Sequence, residues 1–361
     1  IELWRRQEQS AASQPEPEPG PLLTPGDGAG MLDQLRSHWL SACLAFDEPA
    51  AELALAQAMA IAAPEVVCTE LLQKGLAELG EGWYAGKVSV QQEHFASALA
   101  TRRLHALLAA APKPTRPGRL LAACPPGEAH DMALLMLAFI LRWRGWEVVY
   151  LGANVPLARL DVTLKSTTPN LVLSVAQTLP GVAALSDMAK YTNAHHVSLA
   201  FGGGIFNHIP DLAERIPGYF LGLELGAVPQ VVEQLLAHPP VLPTPVPLSP
   251  AYADLWVRFK EKEALIVTTV QSALQDGTIN LRHVEEANHN LTRAIEAALS
   301  LGDIRFLDHS IGWLNGLLEN YGLSPTLAVA YYAAYRQAVQ QHLGSDAGLL
   351  LEWLAQFELT V

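Results

Sequence analysis

Residues 121–154 contain the pattern that most constrains the fold of this chain. Two strand-like runs, LAAC and EVVYLG, flank MALLMLAFILRW, an apolar segment with the length of a helix. The loop after the first run holds Gly127, Glu128 and His130. A strand, a helix and a second strand in this order form a βαβ unit, and in an open sheet the loop after a strand lies where ligands bind. We therefore expect a ligand site around His130.

The same alternation continues along the chain and predicts a complete domain. Strands are expected near 118–124, 146–151, 170–176, 196–202 and 218–223, and helices near 131–144, 156–166, 181–192, 208–216 and 227–237. This pattern predicts a doubly wound, Rossmann-like α/β domain with five parallel strands. Right-handed crossovers place the loops that follow the strands along one edge of the sheet.

Helical and proline-rich segments surround this α/β domain, and 361 residues are too many for one ordinary core. The sequence predicts a linker or flexible tail at 1–30, a four-helix bundle at 31–111, the α/β domain at 112–238, a proline-rich linker at 239–250 and an all-helical domain at 251–361. The first residues, IELWRRQEQ, are typical of the end of a helix. We therefore expect an output domain upstream of this segment.

Charge and composition exclude several classes of function. The formal net charge of -13 argues against nucleic-acid binding through this segment, because phosphate contacts need clustered Lys and Arg. The sequence shows neither a transmembrane run nor a signal peptide, which predicts a cytoplasmic location without membrane contact. Cys43, Cys68 and Cys124 have neither metal-site spacing nor the pattern of a disulfide framework.

The His130 loop resembles the cobalamin-binding signature, in which a carboxylate precedes a histidine by two residues and a small residue follows it. Here these positions are Glu128, His130 and Ala133, the last standing where the family usually has glycine. The resemblance implies that His130 ligates cobalt from below and that Glu128 accepts the other ring N–H. It also assigns the cofactor's nucleotide tail to a slot at the ends of later strands, formed by Ser174, Gly202, Gly203 and Gly204.

A second motif lies in the helical bundle, where Trp83 is followed after nine residues by Glu93 and His94. Ser89 and Gln92 predict a capping box that starts the helix carrying this pair. The motif resembles CarH-type light-sensing cobalamin proteins.

By that resemblance Trp83 packs over the adenosyl group of adenosylcobalamin, Val90 lines its pocket, and Glu93 and His94 form hydrogen bonds around it. Tyr84 stands where those proteins have a histidine that captures cobalt after light. The upper ligand after light is therefore left open between His94, another group and water.

The C-terminal helical domain after such a module resembles the photocobilins, which pair cobalamin with biliverdin. A bilin needs aromatic walls, cations for two propionates and polar groups for the pyrrole nitrogens. The residues that offer this chemistry are Arg305, His309, Trp313, Tyr332 and Arg336. The domain has no cysteine, so the bilin would be held non-covalently. A heme bound by His283, His289 or His309 and a partner-binding bundle are the alternatives.

These features together predict a light sensor rather than an enzyme. Adenosylcobalamin and biliverdin would be the cofactors, and light would change a homo-oligomer and thereby control the output domain. Two alternatives keep the same cobalamin site. One is a corrinoid protein that carries methyl groups for methyltransferases, and the other is a cobalamin-responsive regulator that is indifferent to light.

Overall fold

The computed structural model describes residues 28–274, 281–309 and 325–358. Trp313, one of the residues proposed to contact a bilin, lies outside the described residues. Three structural units follow one another along the chain: a helical bundle, a parallel sheet with its own helices, and a second group of helices. This order confirms the predicted fold class.

The N-terminal bundle has four helices: α1 (Gly28–Leu44), α2 (Glu48–Ile61), α3 (residues 64–84) and α4 (Val90–Ala109). α3 is continuous but contains a π-helical segment, Val67–Gln73, between its ends Pro64–Val66 and Lys74–Tyr84. Asp47 caps α2, because its side chain accepts a hydrogen bond from the Ala50 N–H at 3.1 Å. The capping box of Ser89 and Gln92 at the start of α4 is confirmed.

The central sheet has five parallel strands in the order β2-β1-β3-β4-β5. The strands are β1 (Arg119–Ala123), β2 (Glu147–Gly152), β3 (Leu171–Val175), β4 (Leu199–Gly202) and β5 (Tyr219–Phe220). Because β1 pairs with both β2 and β3, the strand order reverses between β1 and β3. Open α/β sheets bind ligands beyond the carboxyl ends of the strands at this reversal.

The helices of the α/β domain are α5 (Met132–Trp143), α6 (Leu160–Thr167), α7 (Leu179–Ala194), α8 (Ile205–His208) and α9 (Val228–Ala237). The prediction of one helix near 208–216 was wrong. The short α8 ends at His208 and a 3-10 helix follows at Pro210–Arg215. Proline cannot continue an α-helix, because it lacks the N–H that would bond to the preceding turn.

The C-terminal helices are α10 (Pro250–Ala273), α11 (Leu281–Leu301), α12 (Pro325–Leu343) and α13 (Gly348–Ala355). α10 packs against α11 and α12, and α11 also packs against α7 of the α/β domain. The C-terminal unit therefore rests directly on the sheet domain. Among the described helices, none combines the length and the apolar sequence needed to cross a membrane.

One hydrophobic core lies on each face of the sheet. Leu120, Leu173 and other alternate strand residues belong to a core that continues through α5 into the bundle. Their neighbours Leu121 and Val172 belong to a core that continues through α7 into the C-terminal helices. Successive side chains of a strand point to opposite faces, so one sheet supports both helical units.

Candidate functional site

His130 lies in the loop after β1, at the reversal of the strand order, and is paired with a buried carboxylate. The side chain of Glu128 is 1% exposed, and its Oε1 lies 2.7 Å from His130 Nδ1. The same oxygen accepts the backbone N–H of His130 at 3.0 Å. The imidazole itself is 66% exposed. With Nδ1 turned to the carboxylate, Nε2 is the ring nitrogen positioned for a ligand above the loop.

The electrostatics of the pair favour an ionised carboxylate. Burial would raise the pKa of Glu128, but hydrogen bonds from the His130 ring and from backbone N–H groups outweigh it and lower that pKa. The hydrogen bond to Glu128 raises the pKa of His130 against the opposing effect of burial, and the charge of Glu93 adds to the increase. α4 of the bundle therefore brings Glu93 within electrostatic range of His130.

The loop is fixed by a residue that follows β2. Asn154 accepts the Gly127 N–H on Oδ1 at 2.8 Å and donates its own N–H to the Glu128 carbonyl at 2.9 Å. Tyr150 donates its hydroxyl to Asp131 Oδ2 at 2.7 Å, directly beside His130. The sequence analysis did not assign a role to Asn154 or Tyr150. Their position at the end of the neighbouring strand was the signal that could have identified them.

Gln177 is a third residue that the sequence analysis missed, and it connects two loops. Its backbone N–H donates to Glu128 Oε2 at 2.8 Å. Its side-chain Oε1 accepts the backbone N–H of Gly204 at 2.7 Å. Gln177 lies three residues after Ser174, just past the end of β3. The carboxylate behind His130 is therefore joined to the glycine loop after β4.

The glycines after β4 border a narrow slot of about 100 Å³ on the bundle side of the sheet, which Met136, Val175 and Val228 also line. Gly203 has φ +130°, and a Cβ there would lie 1.9 Å from the Ala176 carbonyl oxygen. Gly202 is buried, yet a Cβ there would meet no atom within 4 Å. Gly202 therefore borders open space, as the slot for a cofactor tail requires.

Ser174 is placed near this slot but not in its lining. Its side chain is fully buried, and its hydroxyl lies 3.8 Å from the Met188 sulfur of α7. The next residue, Val175, lines the slot from the other face of the strand. The structure thus brings together His130, Glu128 and the glycines, while the hydroxyl of Ser174 points to the opposite core.

The predicted cap residues lie at the end of α3 and in the first turns of α4, where Glu93 is within electrostatic range of His130. Trp83, at the end of α3, is half-buried, and Val90 is 38% exposed. Glu93 Oε2 lies 2.7 Å from His94 Nδ1, and Glu93 Oε1 accepts the Ser97 hydroxyl at 2.6 Å. The imidazole of His94 is 75% exposed. These side chains leave polar and aromatic surface open on the bundle.

A larger cavity of about 410 Å³ lies on the other side of the His130 loop, against the C-terminal helices. Tyr332 of α12 is 2% exposed, and its hydroxyl has no hydrogen-bond partner within the part of the chain that the structure describes. A guanidinium nitrogen of Arg293 lies so close to Gly127 that a Cβ on this glycine would sit 2.9 Å from it. The lining includes His130, Gln177, Arg293, His309, Tyr332 and Trp353.

The residues proposed for a bilin separate into two groups. His309 and Tyr332 line the cavity, and the His309 ring stacks on His208 with centroids 4.6 Å apart. Arg305 does not line it, because its side chain is 78% exposed and pairs with Asp303 at 2.6 Å. Arg336 is half-buried on α12, outside the cavity lining. Of the histidines considered for a heme, His309 is the one among the described lining residues.

Comparisons with known proteins agree with this arrangement. Residues 35–108 match a family model described as a B12 binding domain, and residues 118–231 match a second model with the same description. The first match covers the helical bundle and the second covers the sheet with its loops. The two matches identify a cobalamin-binding module made of a helical and an α/β domain.

Two curated relatives come from Myxococcus xanthus. The chain is 36% identical over 137 residues to the HTH-type transcriptional repressor CarH, which is 38% of this chain and 46% of the relative. It is 33% identical over 141 residues to the HTH-type transcriptional repressor CarA, 39% of this chain and 47% of the relative. The matched region thus spans about half the length of these curated relatives. Over this region the chain is similar to CarH and CarA, and both of its family matches are to B12 binding domains.

One solved structure that the chain matches is the monomethylamine corrinoid protein of Methanosarcina barkeri. The similarity covers 57% of this chain and 98% of that protein, with 18% identity and a TM-score of 0.47.

Proposed function

We propose that this chain is a light sensor that holds adenosylcobalamin between the helical bundle and the α/β domain, and biliverdin beside the C-terminal helices. The observation that carries the cobalamin part is the His130–Glu128 pair, which presents Nε2 at the carboxyl edge of the sheet next to a glycine-lined slot. The module itself would be regulatory, with output from a domain outside this segment.

The chain's own residues fit a cobalamin. A buried carboxylate fixes the tautomer of His130, which is the usual arrangement behind a metal-bound imidazole. Gly202 leaves open space where a side chain would close the slot. When bound, adenosylcobalamin supplies a cobalt–carbon bond that light can break.

The sensing step would lie in the cap. Trp83 and Val90 are partly exposed, so they have apolar surface that an adenosyl group would cover. Glu93 and His94 offer polar groups at the same end of α4. Loss of the adenosyl group would remove these contacts and let the bundle move relative to the sheet, because a ligand biases two states through contacts that differ between them. We propose that this movement changes a homo-oligomer.

Trp83→Ala tests the cap. We expect dark retention of adenosylcobalamin to fall by roughly ten-fold, because an aromatic contact surface is lost, while hydroxocobalamin retention changes little. Trp143→Ala is a matched control, since Trp143 is also partly exposed but lies at the far end of α5. Equal retention of adenosylcobalamin by the Trp83→Ala and Trp143→Ala proteins, measured by gel filtration in the dark, would remove the cap from the proposal.

The bilin part rests on the larger cavity. Tyr332 presents a buried hydroxyl without a partner in the described chain, and Arg293 supplies a cation at the cavity wall. Leu291, Leu307 and Trp353 provide apolar and aromatic lining. A volume of about 410 Å³ lies in the usual range for small-molecule pockets. Arg293 takes the role of propionate partner for which the sequence analysis offered Arg305 and Arg336.

Tyr332→Phe should weaken biliverdin binding by about five-fold through the loss of one hydrogen bond. Tyr331→Phe is the control, because its hydroxyl bonds to Asn288 at 2.9 Å instead. Arg293→Gln should weaken biliverdin more than its dimethyl ester, whereas Arg305→Gln should change neither. Absorbance titrations of each variant with biliverdin and with its dimethyl ester measure these differences. If the unmodified protein takes up no biliverdin, the cavity serves another ligand.

Two alternatives remain open to a direct test. A protein loaded with adenosylcobalamin and biliverdin should change its cobalamin spectrum and its mobility after green light. A stable spectrum together with a preference for methylcobalamin would favour a methyl carrier. A stable spectrum with a mobility change on cobalamin binding alone would favour a light-independent regulator.

A further inference from the structure

Gln177, in the loop after β3, connects the loop after β1 with the loop after β4. Its side-chain Oε1 is fixed by the Gly204 N–H at 2.7 Å, on the loop that borders the slot. Its backbone N–H reaches Glu128 Oε2 at 2.8 Å. The other oxygen of Glu128 holds the ring and the backbone of His130. An unbroken series of hydrogen bonds thus leads from the slot to the imidazole.

The bonds of Glu128 divide between its two oxygens, and this division gives Gln177 influence over His130. Among the described residues, Oε1 accepts hydrogen bonds from His130 only, while Oε2 accepts the Gln177 N–H and, at 3.4 Å, the Thr178 hydroxyl. Because the carboxylate is 1% exposed, water cannot easily replace a lost partner. A shift of residue 177 would therefore rotate the carboxylate and with it the ring of His130.

The glycine loop can control residue 177 because the two are in close contact. A Cβ on Gly204 would lie 2.8 Å from Gln177 Oε1, and a Cβ on Gly203 would lie 1.9 Å from the Ala176 carbonyl oxygen. A ligand in the slot would contact this loop, and the loop contacts the segment that holds Gln177. Side-chain packing of this density transmits small displacements.

We infer that Gln177 is a positioning residue that couples occupancy of the glycine slot by the nucleotide tail to the orientation of the His130 imidazole. The inference rests on the cobalamin part of the proposed function and adds a residue that neither the cobalamin signature nor the family matches assign. It predicts that a corrinoid with a tail is coordinated by His130 more completely than one without a tail, and that this difference depends on Gln177.

The experiment compares cobalamin with cobinamide, which lacks the tail, on the unmodified protein and on Gln177→Leu. Leucine keeps the approximate size of the side chain and removes the acceptor. We expect Gln177→Leu to weaken cobalamin binding by about ten-fold, the lower end of the range for residues that support a metal ligand, and cobinamide binding by much less. The absorption spectrum should show a smaller histidine-coordinated fraction for bound cobalamin.

Gln177→Glu retains an acceptor for the Gly204 N–H and should recover most of the cobalamin coordination. Gln177→Asn keeps the amide one methylene short of Gly204 and should resemble leucine, which provides a second variant if leucine does not fold. Asn193→Leu is the matched control, because the Asn193 amide likewise bonds to the backbone of another loop of the same domain, where it donates to the Pro217 carbonyl at 2.7 Å. It should lower stability without changing coordination.

A readout on the cofactor-free protein completes the test. Exchange of the Gly204 amide hydrogen should accelerate in Gln177→Leu and not in Asn193→Leu. Equal weakening of cobalamin and cobinamide, or unchanged exchange at Gly204, would overturn the inference and leave Gln177 with a purely structural role. Failure of the unmodified protein to bind cobalamin would instead overturn the proposed function, so the two results are distinguishable.

Discussion

The slot and the larger cavity both lie near the carboxyl ends of the strands, and they differ in size and in the helices that border them. The slot of about 100 Å³ lies on the bundle side and is lined largely by glycine and aliphatic side chains. The cavity of about 410 Å³ lies on the side of the C-terminal helices and contains Arg293, His309 and Tyr332. The first suits a flat tail that approaches the backbone, and the second suits a ligand that carries charge and polar atoms.

Both helical units pack on the α/β domain through a hydrophobic core, and the bundle is held by polar bonds as well. The bundle is joined to α5 by polar bonds far from His130: Arg142 donates to the Leu108 carbonyl at 3.1 Å, and Arg144 forms two bonds with Glu65 at 2.5 and 2.7 Å. The C-terminal unit packs α11 along α7 through the core on the opposite face of the sheet. The polar bonds lie at the end of α5 opposite the His130 loop, so a ligand at the cap end would act on the part of the bundle that lies away from them.

The largest expected effect is on stability and tests the backbone that shapes the slot. Gly203→Ala should destabilise the α/β domain by about 3 kcal/mol, because it combines a positive φ with a contact to Ala176 that no side chain can make. Urea denaturation measures this loss.

Gly202→Ala is its matched control, since its Cβ would project into open space. We expect near-normal stability but weaker cobalamin binding, with bilin uptake unchanged. Equal stability of the two alanine proteins would contradict the account of the slot.

A smaller effect is expected for the ion pair that attaches the bundle to the α/β domain. Arg144→Met should weaken the contact between the bundle and the sheet by about 1 kcal/mol, because the lost ion pair is only partly buried. Hydrogen exchange should accelerate in α3 and α4 and remain unchanged in α11.

Arg258→Met serves as the control for the other unit, because Arg258 pairs with Asp346 within the C-terminal helices. Faster exchange in the bundle of that variant would show that the two units are not attached independently.

The smallest effect concerns pH and the C-terminal unit. Burial lowers the pKa of His309 from 6.5, and the neighbouring His208 lowers it further. Because the pKa of His309 is lower in the folded state than in the unfolded state, the unfolded chain binds more protons at pH values near and below 6.5. The free energy of unfolding should therefore decrease as the pH falls through this region.

Urea midpoints at about pH 7.5 and about pH 5.5 would show the dependence, and His309→Asn should reduce it. A pH dependence of the same size in His309→Asn would assign it to other groups.

Several elements follow from local patterns and were predictable. The alternation of apolar strands and helices predicted five parallel strands, and Ser89 with Gln92 predicted the start of α4. The spacing of Glu128 and His130 is local too, so a two-residue separation was enough to anticipate their hydrogen bond. Pro210 lies inside the helix expected at 208–216 and indicated from the sequence that an α-helix would not continue there.

Other features depend on contacts between distant residues. The strand order, the bond between Gln177 and Gly204 and the position of Arg293 beside Gly127 join segments that are 19 or more residues apart. Ser174 shows that the choice between two neighbouring residues was also missed. Successive side chains of a strand point to opposite faces, so the Ser174 hydroxyl faces one core while Val175 lines the slot. Arg305 was proposed as a cation for a bilin, but its side chain already forms an ion pair with Asp303.

The sequence by itself determined the helical and strand segments, the order of the three structural units and the chemistry of the His130 loop, because hydrophobic periodicity and short-range hydrogen bonds are local properties. The tertiary structure alone decided that a cavity opens between that loop and the C-terminal helices, and which residues face it. Packing of α11 against α7 creates this space, and packing depends on how side chains from distant segments fit together.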